Sequence, residues 1–325
     1  MIDQTPRIAT IPDGPRLGLC CLFREEPIKF STTTASSLSR MTCLESRAKL
    51  ARLVRSNALS LMSAFRFCVQ RGIGCFRITS QILPLRTHPK HGYSLDELAD
   101  GESIRESFQA CGEFARQSGL RVCFHPDQFV VLNSPRPEVV SASLLELEYQ
   151  AEVAEWVNAD VINVHGGGAY GDKPKALAEF ARNLSRLSPR MRSRLTVEND
   201  DRTYTPTDLL PLCRAEGIPL VYDVHHHRCN PDELTVEEAT QNALTTWNRE
   251  PLFHLSSPIN GWDGPTPQRH HDFIDLKDFP PSWRSLSITI EVEAKAKETA
   301  VLALNKDLNP PAKAARKPRP KRKQA

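Results

Sequence analysis

Histidines and carboxylates in this chain gather at the ends of short apolar runs. RVCFHP reaches His125, DVINVH stops on His165, and RLTVEND closes on Glu198, Asn199 and Asp200. PLVYDVHHH carries Asp223, then His225, His226 and His227; PLFHLSS holds His254; SITIEVEAK holds Glu291 and Glu293. His88 follows the run CFRIT, and His270 and His271 follow PLFHLSS. A single histidine on an apolar strand is usually a core residue. Six successive runs each closing on His, Asp or Glu form a different pattern. Buried acids and imidazoles in that number are costly without a countercharge. Divalent cations supply one, and imidazole with carboxylate but no thiolate suits manganese, zinc or iron. The donors outnumber what one ion takes, and Glu198 lies centrally, placed to bridge two.

In the sixth run, a period of two puts Asp223, His225 and His227 on one face and turns His226 away. That parity lapses once the chain leaves the strand, so the three histidines stay open as ligands. His270 and His271 stay open in the same way.

The elements that must position these residues are regular. Candidate strands cover 16–23, 75–79, 121–126, 160–165, 194–200, 219–227, 251–257 and 287–295. Each is mostly apolar rather than alternating, as strands covered on both faces are. Amphipathic helices fall between them near 46–70, 103–118, 138–157, 174–187, 206–216 and 235–247. A weaker one near 275–286 is interrupted by Pro280 and Pro281, and the last follows Glu298. Thr235 with Glu238 reads as a capping box, and Thr205-Pro206 as a helix start. Eight βα units predict a single (β/α)8 TIM barrel over 16–304, preceded by an extension over 1–15. The rival open sheet would carry G-x-G-x-x-G after its first strand; its absence argues against a nucleotide cofactor. Barrel chemistry sits at the carboxyl ends of the strands, where the histidines and acids fall.

Composition narrows the setting. The nine cysteines are scattered without a CxxC pair, as in a reduced cytoplasmic protein. The first fifteen residues show no basic and apolar leader pattern, and no run reaches the ~18 apolar residues of a membrane helix. Charge is uneven: from Lys306 onward there are eight Lys or Arg and one Asp, so the rest is acidic although the formal total is +3. The segment 305–325 is Pro-rich and basic and is expected to be disordered. Its Lys313, Arg316, Lys317, Arg319, Lys321, Arg322 and Lys323 are candidate phosphate contacts. The loop GGGAYG after His165 permits close backbone approach to a phosphate, a weak signal alone.

Eight segments together carry a specific resemblance: RLGLCCLF, FRITSQILPLRTHP, FHPDQFVVLNSP, INVHGGGAYGDK, LTVENDD, VYDVHHHRCNP, FHLSSP and EVEAKAKE. In this order, over roughly 16–300, the sequence resembles the ultraviolet-damage endonucleases, relatives of the endonuclease IV group of metal-dependent barrel nucleases. The resemblance implies a (β/α)8 barrel that incises double-stranded DNA 5′ to ultraviolet photoproducts with two or three divalent ions, manganese foremost. It implies His125, His165, Glu198, Asp223, His226, His254, His270 and Glu293 as the metal site. It places His88 beside the cluster, with Glu198, His88 and Glu293 as catalytic residues. Gln128 and Phe129 would probe the lesion, since the family carries Gln-Tyr there and aromatic wedges unstack damaged steps most cheaply.

Two departures stand out. Leu19 replaces a tyrosine of some members, and Leu252 replaces a lysine near the metals, with Lys295 and Lys297 as candidates to compensate. The expected protein is a monomer with no membrane partner, cytoplasmic and nucleoid-associated if bacterial. The alternatives are an abasic-site endonuclease and a metal-dependent sugar isomerase or epimerase.

Overall fold

Eight short strands form one sheet in the computed structural model, which describes residues 14–310. They are β1 (Arg16–Cys20), β2 (Cys75–Ile78), β3 (Arg121–Phe124), β4 (Val161–His165), β5 (Leu195–Glu198), β6 (Leu220–Val221), β7 (Leu252–Leu255) and β8 (Thr289–Val292). Every pairing is parallel, in the order β6-β5-β4-β3-β2-β1-β8-β7. β6 and β7 meet through one bridge, Asp223 to His254, where the His254 N–H donates to the Tyr222 carbonyl at 3.0 Å. The expected TIM barrel therefore closes, and its seam runs through two candidate ligands.

Helices cover the barrel at Cys43–Arg71, Gly101–Ser118, Pro137–Val157, Lys173–Leu184, Pro206–Glu216, Val236–Leu244 and Glu298–Leu308. The first starts on a Thr42/Glu45 capping box and stops at Gly72, whose φ of 70° a side chain would strain. The region 275–286 gives two short 3-10 turns, because prolines lack the N–H that a helix needs. The last helix continues to Leu308, past the expected barrel limit at Leu304. The tail from Lys313 to Lys323 and the extension over 1–13 lie outside the described residues.

One expectation is corrected. The sixth run ends as a strand at Val221 and does not continue over 219–227. A helix, Val224–Cys229, takes over, and Asp223 caps it by accepting the His226 N–H at 2.8 Å. An aspartate ahead of three histidines is a better helix start than a strand interior.

Inside the barrel, Cys75, Cys123, Val161, Val221 and Leu252 form a buried apolar floor. Two residues further along each strand, on the same inward face, stand Arg77, His125, Asn163, Asp223 and His254. Leu252 is therefore floor, one layer below the candidate ligands. Leu19 faces the other way, fully buried in the outer core.

The helices pack closely where Gly101–Ser118 crosses Pro137–Val157. A Cβ on Gly112 would lie 2.3 Å from the Trp156 carbonyl oxygen. Gly112→Ala is expected to destabilise the fold by about 1–3 kcal/mol. A urea midpoint equal to that of the parent would contradict this packing.

Candidate metal centre

Glu198 ends β5 and is fully buried. Its Oε2 lies 3.0 Å from His125 Nε2 and accepts from Asn163 Nδ2 at 2.5 Å. Its Oε1 lies 3.1 Å from His226 Nδ1 and 3.2 Å from His254 Nδ1. Asp223 Oδ2 is 3.4 Å from His226 Nδ1 and 3.9 Å from His254 Nδ1. Glu293 brings Oε1 to 3.5 Å from His254 Nδ1 and Oε2 to 3.8 Å from His270 Nδ1. His165 ends β4 with its ring 4.9 Å from that of His125 and 6.1 Å from that of His226. All eight residues expected at the metal site thus converge at the carboxyl end of the barrel.

The helix after Asp223 explains which histidine joins. Three residues along a helix return to one face, so His226 stands over Asp223. His227 turns into the core, held by the Tyr222 hydroxyl at 2.7 Å and Asp232 at 2.8 Å. His225 packs between the rings of Trp262 and His270. Of the other pair, His270 meets Glu293, while His271 Nδ1 accepts the Phe273 N–H in its own loop.

His88 stands apart from the cluster. Its Nδ1 accepts the N–H groups of Lys90 and His91 at 3.1 and 3.2 Å, which leaves Nε2 to carry the proton of the neutral ring. With Asp127 and Phe129 it lines a pocket of about 500 Å³. Gln128 and Phe129 sit on the loop after β3, and Phe129 is 79% exposed, so it is not a core aromatic. The glycine loop after β4 is packed against the protein itself. Asn133 Nδ2 and the Tyr204 hydroxyl donate to the Gly168 carbonyl at 2.8 and 3.0 Å, and a Cβ on Gly166 would strike Tyr204.

The donors fit divalent cations. Glu198 Oε1, Asp223 Oδ2, His254 Nδ1 and His165 Nδ1 are buried without a hydrogen-bond partner. Donor atoms of His125, Glu198 and His254 lie within 4.8 Å of one another, as do those of Glu198, Asp223 and His226, and those of Asp223, His254 and Glu293. Buried polar atoms that converge without hydrogen-bonding are rare unless something else satisfies them. Electrostatics agree. Burial would raise the Glu198 carboxyl, but His254 and His165 hold it well below the usual carboxylate range. Burial would lower His226, but Asp223 and Glu198 push it up to about 10. A proton held by acids at such a site is what a cation displaces.

Arg77 escaped the sequence reading, and Glu291, named there among the strand-end acids, was not assigned to the metal site. Arg77, two residues beyond Cys75 on the inward face of β2, reaches Glu293 Oε1 at 2.6 Å and Glu291 Oε2 at 3.2 Å. Glu291 also accepts from Cys123 Sγ at 2.9 Å and lies 2.8 Å from His254 Nε2. Burial would raise its carboxyl, but Arg77 and His254 outweigh that and hold it at about 2. Inward parity with His125 and Glu293 was the available signal for both.

Comparison with known proteins agrees with this fold. The family model described as UV-endonuclease UvdE matches residues 15–317. A UV DNA damage endonuclease of Bacillus velezensis is 33% identical over 303 residues, covering 89% of this chain and 91% of that protein. The crystal structure of SacUVDE superposes with a TM-score of 0.79 at 26% identity, covering 91% of this chain and 99% of that one. Endonuclease IV from Thermus thermophilus shares the fold, with a TM-score of 0.56 at 17% identity over 90% of this chain and 97% of its own. No described helix is long and apolar enough to cross a membrane.

Proposed function

The chain belongs to the UV-endonuclease family, an endonuclease lineage of DNA repair, and on that premise we propose that it incises double-stranded DNA immediately 5′ to ultraviolet photoproducts by metal-assisted hydrolysis. The observation that carries this is the convergence of Glu198 with His125, His226 and His254, beside the second acid pair Asp223 and Glu293.

His125, His165, Glu198, Asp223, His226, His254, His270 and Glu293 would hold two or three divalent ions, manganese first, with zinc or iron as alternatives. Such ions supply a water of lowered pKa and neutralise charge on the transferring phosphoryl group. The protein's own part is placement. Asn163 fixes one oxygen of Glu198, and Thr196 in turn donates to Asn163 Oδ1 at 3.0 Å. The capped helix start fixes Asp223, and Arg77 fixes Glu293. His88, whose Nδ1 accepts two backbone N–H groups, would donate from Nε2 to a DNA strand entering the neighbouring pocket. The proposal extends to a cytoplasmic, nucleoid-associated enzyme that acts on DNA as a monomer.

The test uses three end-labelled duplexes with Mn²⁺: one irradiated, one unirradiated and one abasic. Incision confined to the irradiated strand, 5′ to the photoproduct, is expected. Cutting of the abasic duplex alone would favour the abasic-site reading. Equal or absent cutting of all three would reject both.

Gln128 and Phe129 act as the lesion probe. An aromatic inserted at a base step costs a few kcal/mol of unstacking, and a photoproduct already forfeits part of that. Phe129→Ala is therefore expected to reduce the ratio of irradiated to unirradiated cleavage about tenfold, the order of ~1.4 kcal/mol, with metal content unchanged. An unchanged ratio would remove Phe129 from this role.

A further inference from the structure

An open pocket of about 340 Å³ adjoins the cluster, walled by Arg77, Arg269, Lys295, Lys297, His270 and Glu293. Arg77 is committed to Glu291 and Glu293. The other three cations are not: among the described residues no carboxylate pairs with Arg269, Lys295 or Lys297, although ion pairs stud the rest of the surface. Like charges gathered in one concavity repel, so the arrangement favours an anion.

The backbone holds these cations in place. Lys297 has φ 53° and ψ −125°, a conformation side chains rarely adopt, at a cost of about 1–3 kcal/mol. Its neighbour Glu298 is buried, and its carboxylate accepts the N–H groups of Arg24, Glu25 and Glu26 at 2.8, 2.6 and 3.1 Å. The Lys295 and Ala296 N–H groups donate to the His271 and Asp272 carbonyls, each at 3.0 Å. The segment Ala294–Lys297 is thus clamped between the loop after β1 and the loop that carries His270. Strain of this kind persists where surrounding contacts over-determine it, and here those contacts aim two lysines into one pocket ending at Glu293.

We propose that this pocket is a phosphate subsite, in which Arg269, Lys295 and Lys297 hold a backbone phosphate of the DNA strand next to the one being cut. The assignment rests on the endonuclease reading and extends it. A phosphate seated there fixes the register of the strand against the ligand cluster. It acts on damaged and undamaged DNA alike, unlike the Phe129 loop.

The test uses the full chain, three charge-removing variants, Arg269→Gln, Lys295→Gln and Lys297→Gln, and the triple variant that combines them. Binding of an unirradiated duplex is measured across a salt series, with metal content and melting temperature measured in parallel. Losing the phosphate contact in the triple variant is expected to weaken binding and to lower the slope of log K against log salt by about 1, each single variant giving part of that loss, with metal content unchanged. Lys295→Arg and Lys297→Arg should restore most of the loss. Inorganic phosphate should inhibit incision by the parent and inhibit the triple variant less, since the free anion competes for the same seat. Unchanged affinity and slope in all three variants, or equal phosphate inhibition of parent and triple variant, would overturn the subsite. A parent chain that neither binds nor cuts DNA would instead reject the endonuclease reading, so the two failures are separable.

Discussion

Glu198→Gln is expected to abolish incision, by about 10³-fold or more, while duplex affinity stays near that of the parent. Among the described residues the carboxylate is the one acid within 3.2 Å of three separate imidazoles. Both its oxygens point into the cluster, one of them fixed by Asn163. The amide of a glutamine keeps the size but removes the charge, and its NH₂ cannot serve as a lone-pair donor. Glu198 is buried and makes no contact that a DNA phosphate could replace, so binding should survive. Single-turnover cleavage and anisotropy measured on the same preparation separate the two effects. Retained turnover would remove Glu198 from the centre. Lost affinity with retained turnover per bound duplex would assign it to DNA binding.

The second large effect is on the metals themselves. Chelation is expected to bring cleavage to background and to lower the melting temperature, with Mn²⁺ restoring both. The physical reason lies in the buried donor atoms without hydrogen-bond partners on Glu198, Asp223, His254 and His165. A bound cation that satisfies them stabilises the folded state by mass action, since the unfolded chain offers no such site. At a hundredfold excess over the dissociation constant the gain is about 2.7 kcal/mol. A melting temperature and a cleavage rate both indifferent to chelator would contradict a metal centre built from these residues.

Much of this centre is legible in the sequence because strand ends and barrel chemistry coincide. Each ligand-bearing run reads as a short apolar strand with a polar close: β4, β5 and β7 carry His165, Glu198 and His254, and His125 and Glu293 follow directly on β3 and β8. The sixth run is different. Its hydrophobicity reads as a longer strand, and period-two parity then favours His225 and His227. Asp223 instead caps a helix, and period 3.6 selects His226. The Asp223 N-cap is the local signal for the helix, and closure against β7 through the Asp223–His254 bridge adds a tertiary one that no local pattern contains. Arg77 was hidden, and Glu291 was visible as an acid but without a role, for another reason. Each lies in a run whose neighbours look like core, and only the barrel's curvature brings β2 and β8 close enough for Arg77 to bind two acids. Leu252 shows the converse: read along the chain it sits next to a ligand, but in space it belongs to the dry floor with Cys75, Cys123, Val161 and Val221.

Crystals grown with Mn²⁺ and measured on both sides of the manganese absorption edge would test the centre most directly. At least two anomalous peaks are expected among Glu198, Asp223, Glu293 and the imidazoles of His125, His165, His226, His254 and His270, with Glu198 touching more than one. A map without peaks there, with those side chains in the same positions and hydrogen-bonded to one another or to water, would contradict a cation-holding rim.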